Sequence, residues 1–124
     1  MKHNYQYYRV FSFKGSGGNG ACVFVNQNYS DDQMQKIAKE IGLSEIAFVT
    51  KESEGYTVRF FTPNKEIDMC GHATLATIAF IREQFNDKPD QIGVGNHMIS
   101  VKYDEVNVFI NLGYAQRMKD VIIE

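Results

Sequence analysis

The feature that most constrains this chain is a run without any charged residue, from residue 73 to residue 81. On a helical wheel its apolar side chains cover every side, and a helix that is apolar all round is normally buried. The run is too short, and too rich in alanine and threonine, to span a bilayer. Polar residues at 82–84 mark its return to water, and the segment 86–89 ends it. The sequence therefore predicts a central helix over 73–85 that the rest of the chain wraps.

The start of this helix carries three residues that could bind an anion or react. Cys70, Gly71 and His72 lie in or just before its first turn, where backbone N–H groups lack intrahelical partners. The helix dipole favours negative charge there, so such an end can hold a carboxylate or phosphate, or activate a thiol. Gly71 would let a ligand approach the backbone closely. The same three residues also fit a small buried hydrophobe, a turn glycine and an ordinary helix-start residue.

Composition narrows the class of protein. The 124 residues fit one domain, and 44% apolar with 23% charged residues is ordinary for a globular chain. A net charge of −2, with lysine and arginine scattered, gives no reason to expect nucleic acid or an anionic membrane as partner. Two cysteines are too few for a disulfide framework. Since no apolar leader follows Met1, we expect reduced thiols and a cytoplasmic location.

The first part of the chain predicts two strands around a glycine-rich segment. Residues 5–13 have the aromatic and β-branched bias of a strand, with apolar residues on both faces, so we expect a central strand covered on both sides. The segment 14–20 could cradle a phosphate, but it lacks the order of a P-loop and its Lys-Ser/Thr end. A turn whose glycines take positive φ is the alternative. Residues 21–25 then form a short buried strand.

An amphipathic helix follows. Ser30 and Gln33 have the spacing of a capping box, and apolar residues recur at helical intervals from Met34 to Ile41. Gly42 suits the C-terminal cap. The sequence therefore predicts a helix that covers a sheet with one face.

Glu45 lies between this helix and an apolar strand over 46–49. If it is buried beside apolar neighbours, the position suits a general acid or base. Most glutamates at such junctions are exposed loop residues or accept N–H groups of a turn.

The remaining strands complete an α+β fold. Glu54 and Gly55 predict a turn into a strand over 56–61 that runs antiparallel to 46–50. Residues 98–103 and 106–111 predict a hairpin with Asp104-Glu105 as its loop. The tail at 116–124 pairs as a late strand or covers an edge. We therefore expect a strongly curved, mostly antiparallel sheet or barrel wrapped around the central helix.

Several of these residues resemble the hallmarks of the phenazine-biosynthesis PhzF-like family, within the diaminopimelate epimerase-like superfamily. The residues that carry the resemblance, in order over nearly the whole chain, are Gly18-Asn19-Gly20-Ala21 (with Gly20 where the family has proline), Leu43-Ser44-Glu45, Ala47-Phe48-Val49, Phe61-Thr62-Pro63, Glu66-Ile67-Asp68 and Cys70-Gly71-His72-Ala73-Thr74-Leu75-Ala76.

The resemblance implies an isomerase or epimerase of a small carboxylated metabolite, acting by proton transfer without metal or organic cofactor. It implies two similar lobes, each a curved sheet around a helix, with both helix N-termini pointing into a cleft. Glu45 matches the family's proton-transfer glutamate. The positions matching its substrate-binding segments are Asn19, Cys70, Gly71, His72 and Ala73.

The chain matches only the N-terminal lobe, at about half of the family's length. The second wall of the cleft would come from a homodimer or a separately encoded C-terminal lobe, or the chain is an inactive remnant. The alternative to an enzyme is therefore a non-catalytic binding or interaction module. A metal site is only a weak alternative. Cys70 and His72 form a lone C-x-H pattern, and the other two histidines, His3 and His97, are distant in sequence and show no ligand spacing.

Overall fold

A computed structural model of the chain describes residues 5–11, 19–43, 45–68, 71–95, 97–103, 108–111 and 122–123. These residues form two helices and nine strands. The helices are α1 (Asp31–Ile41) and α2 (Gly71–Phe85). The strands are β1 (Tyr5–Phe11), β2 (Asn19–Val25), β3 (Glu45–Glu52), β4 (Gly55–Phe61), β5 (Glu66–Ile67), β6 (Gln91–Val94), β7 (His97–Tyr103), β8 (Val108–Asn111) and β9 (Ile122–Ile123).

The described strands form one mixed sheet in the order β8-β7-β6-β4-β3-β2-β1-β9, with β5 paired to β4. The β2–β3 and β4–β6 pairs are parallel, and the other described pairs are antiparallel. This confirms the α+β class and the mostly antiparallel sheet. Among the described strands the sheet stays open between β8 and β9, so the expected barrel is not closed.

Each face of the sheet packs against one helix. On one face, α2 packs against side chains of the sheet, and its run 73–81 is buried apart from the partly exposed Ala79. The predicted buried central helix is therefore confirmed. On the other face, Met34 and Ala38 of α1 pack on a smaller cluster that consists of Cys22, Phe24, Ile46, Phe48 and Phe61.

The ends of α1 follow from local sequence chemistry. The Ser30 side chain accepts from the Gln33 amide, and the Gln33 side chain accepts from the Ser30 amide, which completes the capping box. At the other end, Gly42 takes φ 76° and donates its N–H to the Ala38 carbonyl. Most residues with a Cβ avoid this left-handed conformation, so a glycine ends the helix.

Several strands differ from the sequence expectation. The outward side chains of β1 are not covered, because Tyr5 and Tyr7 are 43% and 44% exposed. The α1 cluster reaches β2, β3 and β4 but not β1, which explains the difference. Strands β5 and β6 were not predicted. They are short, and β6 contains Gly93, so neither shows an alternating pattern.

Other expectations concern the remaining strands. The antiparallel pairing of β3 with β4 is confirmed, and so is that of β7 with β8, although the hairpin loop lies outside the described residues. The tail contributes β9, which pairs with β1. Residues 14–18 of the glycine-rich segment also lie outside the described residues, and its last two residues begin β2.

Candidate functional site

The candidate site lies where β3 and α2 begin. In the parallel pair β2–β3, Ala21 is opposite Glu45, and in the antiparallel pair β3–β4, Ile46 is opposite Phe61. Alternate residues of a strand point to opposite faces, and Ala47 and Val49 belong to the face that packs on α2. Glu45 lies on that same face, directed towards the start of α2.

A contact between Glu45 and His72 joins the two elements. The Oε1 atom of Glu45 is 2.6 Å from Nε2 of His72, although the residues are 27 positions apart in sequence. The side chains are 17% and 22% exposed, so both are largely buried while still reached by solvent. A neutral imidazole can donate its N–H to the carboxylate, and a protonated one forms an ion pair with it. Either arrangement fixes the carboxylate at the helix start.

The first turn of α2 supplies backbone donors beside this pair. Gly71 is the first helical residue and is partly exposed, whereas the methyl group of Ala73 is fully buried in the core. Ala73 has no exposed surface at all, so the accessible part of this helix start consists of Gly71 and His72. The first turn itself contains no acidic residue, and the negative group that contacts it is the Glu45 carboxylate at His72. This end of α2 is chemically suited to an anion such as a carboxylate.

The structure describes the other two predicted site residues, Asn19 and Cys70, less completely. Asn19 is the first residue of β2 and opposes Val10, two positions before Ala21, so its backbone lies at the same end of the sheet as Glu45. Its side chain is outside the described part of the structure, and so is Cys70 altogether. The structure therefore brings together Glu45, Gly71, His72 and Ala73, and the roles of these residues remain predictions.

The other cysteine belongs to a different surface. Cys22 is buried in the α1 cluster, on the face of the sheet opposite to Glu45, and burial raises the pKa of its thiol to about 11. A thiol in this environment stays protonated and unreactive. Within the described residues, no three histidine, cysteine or acidic side chains group as a metal site would require. No helix in the described part is long and apolar enough to cross a bilayer.

The sequence reasoning did not find the ion pairs around Arg59 on the opposite face of the sheet. Arg59 binds Glu66 of β5 and Asp31 of α1. The local sequence does not indicate the Arg59–Glu66 contact, because that contact depends on the pairing of β4 with the two-residue strand β5.

Comparison with known proteins points to one family. The sequence profile of the phenazine biosynthesis-like proteins (PhzC-PhzF) matches residues 8–108. An uncharacterized isomerase of Halalkalibacterium halodurans is 46% identical over 75 residues, which are 60% of this chain and 28% of that protein. An uncharacterized isomerase of Pseudomonas aeruginosa is 39% identical over 84 residues, covering 67% of this chain and 32% of the relative.

Solved structures show the same likeness. The crystal structure of a PhzF-family phenazine biosynthesis protein of Enterococcus faecalis superposes with a TM-score of 0.74 at 35% identity. The superposition covers 86% of this chain and 42% of that one. The chain thus spans about a third of the length of these curated relatives and less than half of the solved structure.

Proposed function

The chain belongs to the phenazine biosynthesis-like (PhzF) family, and we propose that it forms one wall of an isomerase site for a small carboxylated metabolite. In this proposal Glu45 moves a proton between two carbon atoms of the substrate. The start of α2, at Gly71, His72 and Ala73, binds a carboxylate of the same molecule, and Asn19 and Cys70 lie at the edge of this site.

The observation that carries the proposal is the contact of 2.6 Å between Glu45 and His72 at the positive end of a buried helix. A general base must lie within hydrogen-bond distance of the proton that it removes. A carboxylate that is held in one orientation can satisfy this requirement. The adjacent N–H groups stabilise negative charge on the substrate carboxylate as the proton leaves carbon. The names of the two curated relatives, both isomerases, support the same reaction class.

The proton balance of this reaction is simple. The Glu45 carboxylate takes a proton from one carbon, and the electron pair left behind delocalises towards the bound carboxylate. The protonated Glu45, which solvent still reaches, exchanges its proton with water and returns one to another carbon on the same side of the substrate. Delivery to the other face of the same carbon would need a second acid on the opposite wall of the cleft. Substrate and product therefore have the same composition, and the step needs neither an oxidant nor a reductant.

The second wall of the cleft is part of the proposal. The relatives are much longer than this chain, so we propose that a second copy or a separately encoded lobe completes the site. The sheet is proposed to curve strongly around α2, as in one lobe of an epimerase. In support, α2 contacts β1, β2 and β3 near the middle and one end of the sheet, and also the outermost strands β8 and β9.

Deuterium wash-in tests the reaction class without knowledge of the product. The chain is incubated in D₂O with a panel of amino acids, hydroxy acids and dicarboxylates, and deuterium on carbon is followed by mass spectrometry. Enzymatic proton transfer should exchange one carbon-bound hydrogen of at least one compound faster than buffer does. Absence of exchange across the panel, under conditions where the protein is associated with its second wall, would support a non-catalytic binding module instead.

A further inference from the structure

A cluster of charged side chains lies on the face of the sheet that packs on α1. Arg59 donates from Nε and Nη2 to the two carboxylate oxygens of Glu66, at 2.8 and 2.7 Å, which is a bidentate fork. Its Nη1 donates to Oδ1 of Asp31 at 2.9 Å. One guanidinium therefore joins β4, β5 and the first turn of α1.

The segment between β4 and β5 is anchored at a second point. The Thr62 hydroxyl oxygen accepts from the amides of Asn64 and Lys65, so the loop is held in a compact turn. Gln35 of α1 donates from Nε2 to the Thr62 carbonyl at 2.9 Å. Gln35 is one helical turn after Asp31, so one side of α1 contacts the Thr62 end of this loop directly and the Glu66 end through Arg59.

This loop borders the candidate site. Because Ile46 is opposite Phe61, the residues just beyond this pair, Glu45 and Thr62, lie side by side at the end of the sheet. On its other side the chain passes from Ile67 to Gly71 within a few residues. Ile67 of β5 also packs against the core cluster that contains the buried side chains of α2, so the two elements share one packing interface.

We propose that Arg59 is a positioning residue, which through Glu66 fixes β5 and thereby holds the start of α2 against Glu45. Arg59 does not touch the site, because its neighbours Val58 and Phe60 point to the α2 face and its own side chain points to the α1 face. Its effect on ligand binding rests on the proposed function, whereas its effect on β5 and the helix start does not.

The choice of arginine fits this role. A guanidinium binds both oxygens of a carboxylate in one plane and therefore fixes orientation, which a lysine ammonium does not. The hydrogen bonds that Arg59 donates to Glu66, and then to Asp31, raise its pKa above its already high value, so it stays charged wherever the protein is folded. The side chain is 38% exposed, so its replacement does not open a cavity in the core.

The test compares Arg59→Leu and Glu66→Gln with Tyr56→Phe, in the full 124-residue chain labelled with ¹⁵N. Tyr56→Phe is the matched control, because Tyr56 is on the same strand but its hydroxyl binds Asp87, beyond the C-terminal end of α2. Three quantities are measured: exchange of the Thr62 amide, which donates to the Lys65 carbonyl; order parameters at Gly71 and His72; and binding of succinate, followed by the shifts of those two amides.

In Arg59→Leu we expect Thr62 exchange to accelerate at least about tenfold, as the loop opens locally. Order parameters at Gly71 and His72 should fall clearly below about 0.85, the value of rigid backbone. Succinate should bind at least about threefold more weakly, because the site is less preorganised. Glu66→Gln should change all three in the same direction by less, and Tyr56→Phe should change none.

The inference is overturned if Thr62 exchange and the two order parameters in Arg59→Leu and Glu66→Gln equal those in the control Tyr56→Phe. It is also overturned if succinate binds measurably to the unmodified protein and its affinity stays the same in Arg59→Leu, although Thr62 exchange and the order parameters change. If succinate does not shift Gly71 or His72 even in the unmodified protein, the proposed anion site fails, and exchange and order parameters still decide the role of Arg59.

Discussion

Strand β3 begins and ends with a glutamate, and the two differ in their surroundings. Glu52 is exposed at the turn, where its carboxylate accepts from the Thr57 hydroxyl. Glu45 is largely buried and meets an imidazole at a helix start. Identical side chains on one strand thus differ in exposure and in contacts, because only one end of β3 lies beside α2.

This contrast predicts the effect of Glu45→Gln. The amide keeps the shape of the side chain but cannot take a proton, so kcat of any proton-transfer activity should fall by roughly a hundredfold or more. Turnover or deuterium wash-in measures the change. Glu52→Gln is the matched control and should leave kcat unaltered. A Glu45→Gln protein with the original kcat would remove this carboxylate from the mechanism.

A second residue-scale prediction concerns Gly71. A leucine at this position should block the approach of a carboxylate to the first turn of α2 and abolish binding, whereas alanine should weaken it less. The Gly71 backbone is helical, so both variants should fold, as circular dichroism can check. Isothermal titration with succinate or sulfate measures the binding. Unimpaired binding by Gly71→Leu would place the anion elsewhere.

At the scale of elements, tyrosine hydroxyls tie α2 and the segment after it to the sheet. Tyr8 of β1 donates to the Glu83 carboxylate within α2. Tyr56 of β4 donates to Asp87 at 2.8 Å, and Tyr103 of β7 donates to the Pro89 carbonyl at 2.8 Å. Only protonated hydroxyls can donate, so these contacts link helix docking to pH.

The expected consequence is a loss of stability in alkali. Burial, and then the hydrogen bond to Asp87, raises the pKa of Tyr56 to about 12 from 10.0, and burial raises that of Tyr103 to about 12. The fold therefore favours the protonated form. This contribution is complete below pH 10 and is lost as pH rises towards 12. The urea midpoint should fall across this window.

Tyr56→Phe provides the comparison for this pH effect. It should lower the urea midpoint at neutral pH, where the hydrogen bond is intact, and flatten the decline in alkali, where the native tyrosine would ionise. An equally steep decline in both proteins would show that other groups cause the alkaline transition.

The elements also show what sequence patterns can predict. Helix α1 was predicted with its caps because Ser30, Gln33 and Gly42 act on their own neighbours. Helix α2 was predicted because uniform apolarity alone implies burial. Strand β5 was missed because its two residues show no periodic pattern, although its partner β4 is close in sequence. Strand β6 was missed because it takes its place from β4, which is distant in sequence. The same reason hides the Glu45–His72 contact: the resemblance identified both residues, but only the strand register brings them together.

In the proposed arrangement, the whole molecule forms one wall of a two-walled site. In the described part, large apolar side chains remain exposed at Tyr5, Tyr7, Ile41 and Met98, and the sheet is open. Exposed apolar groups and free strand edges favour association. A two-fold arrangement would bring two starts of α2, and two copies of Glu45, to one cleft.

We therefore expect a dimer, or a complex with a separate lobe, rather than a single chain. Light scattering should give about twice 14.2 kDa for the homodimer at micromolar concentration. Its interface should bury more than about 1,000 Å² in total, as stable interfaces do. A clean monomer would exclude the homodimer and leave a separately encoded lobe or an inactive chain. Mixing with a candidate lobe and repeating the measurement separates those two.

The pairing of β1 with β9 also sets an order in time. On the ribosome β1 is made first and β9 last of the described strands. Val10 and Phe11 can therefore pair with Ile123 and Ile122 only when synthesis is nearly finished. Until then this side of β1 keeps unpaired backbone groups, which invite pairing with other nascent chains. The sheet can thus be completed only after synthesis has passed these residues, and a translational pause before them would prolong the period of exposure.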